Sequence, residues 1–201
     1  MAMAITFCAV CFFKEHSGVR AWLLYYVMAC IAITCHTSAI IALIIPLFIY
    51  LPLNRTTSLC LIIASIIIGF FPLQHFLQSY NLFLISDTYG HYLDEYSSVG
   101  VTGTRLLMNG YIVYVIFCKP KAMDCFDKLM IMGICLQNAF PYPIAIRFFS
   151  YLILFSIISI PNRYSCNRNK LFLYVTLLYG VIKFFVFLNT NVAGVVPYSF
   201  G

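Results

Sequence analysis

One stretch constrains this chain more than any other: Arg20 to Leu53, RAWLLYYVMACIAITCHTSAIIALIIPLFIYLPL. It is apolar almost throughout, with a single histidine, His36, near its middle. At about 1.5 Å per helical residue it is too long for one comfortable crossing of a roughly 30 Å hydrocarbon layer, and slightly short for two. How it folds decides on which side of a membrane every later loop emerges.

Only 9% of the 201 residues are charged and 63% are apolar. A soluble domain carries about 25% charged residues, and no soluble fold hides this much apolar surface. The composition therefore specifies a polytopic membrane protein. Lipid satisfies no backbone hydrogen bonds, so spans are helices or a closed barrel. The apolar runs are continuous rather than alternating, which selects helices. The expected fold class is all-α, with about six or seven membrane segments, including a short hairpin at 21–53, in one domain over 1–201.

Along the chain, Met1–Phe13 reads as a partial span, beginning as if already inside a helix. Thr57–Gln74, Leu106–Cys118, Leu129–Phe140, Ile144–Ile160 and Leu171–Leu188 read as spans, and Pro161–Lys170 as a basic loop. Ser79–Arg105 is the long polar segment.

The positive-inside rule chooses between the two ways of folding the central stretch. With one crossing, Lys and Arg divide four against seven, leaving aside Lys183 inside the last span. With a reversal near His36 they divide nine against two, and only Arg105 and Arg147 lie on the far side. The second split is much the better. It predicts a helical hairpin bent at Thr34–Ser38, with both chain ends cytoplasmic and the bend toward the outer face. The net charge of +6 is explained by these short loops and does not point to nucleic acid.

With that topology the outer face collects the chemically capable groups. They are His36 and Ser38 at the bend, Arg105 and Arg147 at the starts of spans, and Asp87, Tyr89, His91, Tyr92, Asp94, Glu95 and Tyr96 in the polar loop. A histidine in an apolar run needs a partner and does not face lipid. His36 is either a packing residue bonded to a neighbouring helix, or a general base or donor to a phosphate oxygen. Arg147 is either an interfacial anchor or a bidentate phosphate clamp. Arg105 is similar but flanks the loop, and Asp94-Glu95 suits a solvated face equally well. Lys183, mid-span, calls for a partner or a cavity. Cys8 and Cys11 form a CxxC pair on one apolar face with no second pair, so packed free thiols are the better reading and no metal or cofactor is expected. The chain has no P-loop, HExxH, GxSxG or dinucleotide fingerprint.

The segment YYVMACIAITCHTSAIIALIIPLFIYL resembles the histidine motif of the EpsG-type, Wzy-like exopolysaccharide polymerases: a small residue, then His, Ser and Ala, here Ala32, His36, Ser38 and Ala39. AIRFFSYLILF resembles that family's arginine motif, with Arg147, Phe149 and Tyr151 in place. YGHYLDEY and the closing VVPYSF resemble two further segments, and all four follow the family's order. Thr37 stands where a basic residue is common. The resemblance is to the C-terminal half of a family member, so the chain reads as part of a larger polymerase. It implies polymerisation of undecaprenyl-diphosphate-linked oligosaccharide repeat units on the outer face of the bacterial inner membrane, without cofactor, alongside other polysaccharide assembly proteins. His36, Arg147, Arg105, Asp94 and Glu95 are then catalytic candidates. Ser38, Asp87, Tyr89, His91, Tyr92, Tyr96 and Tyr151 would contact substrate. The alternatives are a flippase of the same lipid-linked glycan and an inactive fragment.

Overall fold

The computed structural model describes residues 1–16, 18–70, 103–118, 123–140 and 142–190. Among them every regular element is helical: α1 (Ala2–Glu15), α2 (Val19–Cys35), a 3₁₀ segment (Thr37–Ile44), α3 (Ile45–Tyr50), α4 (Arg55–Phe70), α5 (Gly103–Phe117), α6 (Cys125–Ala139), α7 (Tyr142–Ile153), α8 (Ser156–Asn167) and α9 (Lys170–Thr190).

The chain does reverse at His36. This residue is extended (φ −162°, ψ 124°) and closes α2 while opening the 3₁₀ segment. The two arms lie side by side. Trp22 and Tyr50, each fourteen positions from His36, stack with ring centroids 6.0 Å apart. Further up, the buried Tyr25 hydroxyl donates to the Ala42 carbonyl at 2.5 Å. The arms also match in length for a reason visible in the backbone. Seventeen residues of α helix span about 25 Å at 1.5 Å each. The return arm has eight residues of 3₁₀ helix and six of α helix. At about 2.0 Å per 3₁₀ residue this shorter arm also reaches about 25 Å.

The helices are inside out relative to a soluble bundle. α2 buries Ala21, Tyr25, Ala29 and Ala32 and exposes Leu23, Leu24, Val27 and Ile31. α4 buries Ser58, Ile62 and Ser65 and exposes Leu61, Ile63, Ile67 and Ile68. Small residues at interfaces allow close helix approach, and apolar side chains outside suit lipid rather than water. Among the described residues no single helix is long and apolar enough to cross a membrane. One bent pair is, by length and composition: 145–153 with 156–165, bent by 40°.

α6 is the central element. Its first turns contribute Phe126 and Leu129 to the apolar cluster built on α1, α2 and the hairpin. Its other faces contribute Met130, Ile131, Ile134 and Cys135 to the cluster shared with α4, α5 and α9. Gly133 lets α7 come close: a Cβ there would sit 3.0 Å from Leu152 Cβ.

The contacts sort the helix ends into two groups. At one end Phe13 meets Trp22 and Tyr50, Lys14 lies 4.1 Å over the Phe126 ring, and Lys128 Nζ donates to the Ile49 carbonyl at 2.9 Å. Ser58 reaches Met123 there as well. α8 continues the direction of α7, and the contacts of Arg163 with Val115 and of Phe172 with Tyr114 place Arg163, Arg168 and Lys170 at this end with Arg20 and Arg55. His36 and the first turns of α5 and α7, with Arg105 and Arg147, belong to the other.

One expected boundary was wrong. Ile144–Ile160 is not one span followed by a loop. It breaks at Leu154–Phe155, and α8 runs on through Pro161 to Asn167. Pro161 removes only one amide donor, and beyond it Arg163 is anchored firmly enough to keep the helix going, as described below.

Candidate functional site

The bend brings three of the sequence-predicted residues together. His36 caps the 3₁₀ segment: the Ser38 amide donates to His36 Nδ1 at 3.2 Å, and Ser38 Oγ lies 2.8 Å from the same nitrogen. Ser38 Oγ is in turn 3.4 Å from the Tyr151 hydroxyl on α7. Ser38 and Tyr151 are buried, at 7% and 4% exposure, while His36 itself is exposed. Among the described residues the His36 ring bonds within its own segment and not directly to a neighbouring helix. It does so because a cap needs an acceptor two residues before the amide it serves. The link to the neighbouring helix runs through Ser38.

α7 supplies the arginine. Arg147 lies four residues before Tyr151, on the same face one turn nearer the helix start, and is half-buried. Phe149 points into the core. Ser150 Oγ donates to the Ile146 carbonyl at 2.6 Å, leaving the Tyr151 face to the 3₁₀ segment.

Arg105 stands in a second polar cluster. It is buried, at 5% exposure, in the first turn of α5. Its carbonyl accepts from Asn109 Nδ2 at 2.7 Å. Asn109 and Asn138 exchange amide hydrogen bonds at 3.0 and 2.8 Å, and Asn138 Nδ2 donates to Ser65 Oγ at 3.0 Å. This cluster joins α4, α5 and α6 at the His36 end. Three of its members are polar residues inside apolar runs, a signal present in the sequence and not used.

A third cluster was missed altogether. Asp127 and Arg163, 0% and 2% exposed, form a two-point ion pair: Nη2 to Oδ2 at 2.7 Å and Nε to Oδ1 at 2.9 Å. Ser159 Oγ donates to Oδ1 as well. Arg163 Nη1 donates to the Val115 carbonyl at 2.6 Å. Asp127 also completes a capping box with Asp124. The pair ties α5, α6 and α8 together at the basic end, away from the bend.

The candidates Asp87, Tyr89, His91, Tyr92, Asp94, Glu95 and Tyr96, and the closing VVPYSF, lie outside the described residues. Among the described residues no group of three or more His, Cys, Asp and Glu side chains converges as a metal site would require. Lys183 is half-buried on α9.

Compared with known families, the chain matches the model of the EpsG family over residues 1–200, essentially its whole length and not a C-terminal stretch alone. No curated protein and no solved structure matches it.

Proposed function

The chain belongs to the EpsG family, a membrane family of polysaccharide-polymerase type, and on that premise we propose that it joins undecaprenyl-diphosphate-linked oligosaccharide repeat units on the outer face of the bacterial inner membrane. One observation carries this reading beyond the family assignment. The histidine and arginine segments, 113 residues apart, meet through Ser38 and Tyr151 at the bend.

In the proposed transfer, a terminal sugar hydroxyl of one lipid-linked unit attacks the anomeric carbon of another. The C–O bond to the diphosphate breaks, and the hydroxyl proton passes to a base. Charge builds on the departing diphosphate, where a guanidinium in a site screened from water stabilises it. Arg147 is the residue proposed for this, with Arg105 as a second cation. A carboxylate among Asp87, Asp94 and Glu95 would serve as base, with His36 beside the diphosphate, and Tyr89, Tyr92 and Tyr96 would stack on sugar rings. The apolar outer faces would hold the prenyl tail.

The test is direct. Purified protein in detergent receives a lipid-linked repeat unit, and products are sized. The expected result is a ladder of longer glycans, abolished by Arg147→Ala at equal protein level. Binding of the unit by the wild-type protein without any elongation would refute the polymerase reading and favour a flippase.

A further inference from the structure

We infer that His36 works as a hydrogen-bond donor to a phosphate oxygen through Nε2, not as a proton acceptor, and that Ser38 and Tyr151 are the positioning residues that hold it in this form. The assignment rests on the polymerase reading only for the phosphate involved, the diphosphate of the lipid-linked substrate.

A neutral imidazole carries one N–H proton, and its neighbours decide on which nitrogen. The Ser38 amide, 3.2 Å from Nδ1, can only donate. Nδ1 is therefore the lone-pair nitrogen. Ser38 Oγ, 2.8 Å from Nδ1, must then also donate to it. That uses the one hydroxyl proton of Ser38. The 3.4 Å contact between Ser38 Oγ and the Tyr151 hydroxyl can be bonded in either sense; with the Ser38 proton committed to Nδ1, the sense left is donation by Tyr151. The protons run in one direction, from Tyr151 to Ser38 to Nδ1, and every hydrogen in the chain is used once.

The imidazole proton is left on Nε2. Nδ1 is occupied by buried partners, whereas the His36 side chain is exposed. The ring thus offers an N–H and no accessible lone pair. A base needs the lone pair. An ionised phosphate oxygen accepts hydrogen bonds and donates none, so it fits the N–H. The proton of the attacking hydroxyl then goes to a group other than His36.

The test uses the whole protein, labelled with ¹⁵N-histidine, in lipid nanodiscs. The His36 signals are identified by their loss in His36→Gln. Without substrate, the expected spectrum has an unprotonated Nδ1 and a protonated Nε2; the opposite tautomer overturns the inference. Ser38→Ala should shift the Nδ1 resonance and admit the second tautomer, and Tyr151→Phe should shift it less. An Nδ1 resonance unmoved by both variants would remove them as positioning residues. Undecaprenyl diphosphate and phosphatidylglycerol are then added in separate arms. A shift of the Nε2–H resonance with the diphosphate alone supports the assignment. Equal shifts with both overturn the substrate assignment, and no shift with either overturns the donor role. None of these readouts needs turnover. A correct tautomer in a protein that elongates nothing would sink the polymerase reading and leave the tautomer standing, while the wrong tautomer in an elongating protein would do the reverse.

Discussion

Asp127→Ala should be among the most damaging single substitutions in the described fold, although it lies at the end away from the proposed site. Both partners are essentially inaccessible, so solvent does not screen the pair. Removing Asp127 leaves the Arg163 guanidinium buried with its Val115 carbonyl contact and no counter-charge. Breaking a buried pair in this way costs about 3–5 kcal/mol. The lost capping contact to the Asp124 amide, 3.0 Å in the intact protein, adds about 1 kcal/mol. The sum is roughly 4–6 kcal/mol. For a chain of this size, at about 2–4 °C per kcal/mol, melting falls by on the order of 10 °C or more. Replacing both partners by Leu removes both charges and should recover most of the loss, because an apolar pair of similar volume is close to neutral against a buried ion pair. Equilibrium unfolding by SDS titration, followed by far-ultraviolet circular dichroism, compares the parent, Asp127→Ala and the double Leu variant. If Asp127→Ala lies within about 1 kcal/mol of the parent, or if the double variant is no more stable than Asp127→Ala, the pair is not holding α5, α6 and α8 together and the reasoning fails.

Three further outcomes follow from the same packing. Asn138→Leu removes the hydrogen bonds to Asn109 and Ser65 and should cost about 1–3 kcal/mol in the same titration; an unchanged midpoint would mean the cluster contributes nothing to holding α4, α5 and α6. Gly133→Leu forces side-chain atoms into the 3.0 Å approach to Leu152; about 1–3 kcal/mol of destabilisation is expected, with shorter glycan ladders because α7 carries Arg147 and Tyr151, and normal melting would contradict the close approach. In a cysteine-free background, Thr37→Cys should react with an impermeant maleimide added outside cells and Asn54→Cys only after permeabilisation; the reverse pattern would invert the proposed topology.

The reversal at His36 was legible because charge distribution in short loops carries topology independently of any packing detail. Nine against two was decisive where hydropathy alone left the Arg20–Leu53 stretch ambiguous. The 3₁₀ return was not legible. TSAIIALIIP has no feature that separates a 3₁₀ from an α helix, and the Tyr25 bond to the Ala42 carbonyl comes from the other arm, where no local pattern announces it. The Ser38–Tyr151 contact was legible only as shared membership of two motifs, since no local rule pairs residues so far apart. Asp127 and Arg163 were hidden for a different reason. Each sits in a stretch, KAMDCFDK or PNRYSCNRNK, whose charge density reads as a loop. The Asp124–Asp127 spacing ahead of an apolar run carries a helix-start signal that the expected span from Leu129 leaves out. Which arginine it would meet depends on how α6 and α8 pack, and Pro161 argued against a helix there at all.

The hairpin's dimensions bear on where the chemistry sits. Each arm reaches about 25 Å from the basic end, some 5 Å less than the hydrocarbon thickness. In the proposed topology, with the basic end at the cytoplasmic surface, His36 would be held near the far edge of the apolar layer, short of the headgroups. An extended, non-helical residue at that depth survives only against protein or a wet cavity, and here its amide and carbonyl are both used, by Ala32 and Ala39. At that depth an imidazole N–H would lie within reach of a diphosphate whose prenyl chain occupies the bilayer, while burial in the protein keeps its partners Ser38 and Tyr151 out of water. The length that both arms share would therefore set the depth. Two longer arms would carry the same histidine to the aqueous surface, where water would compete for both of its nitrogens.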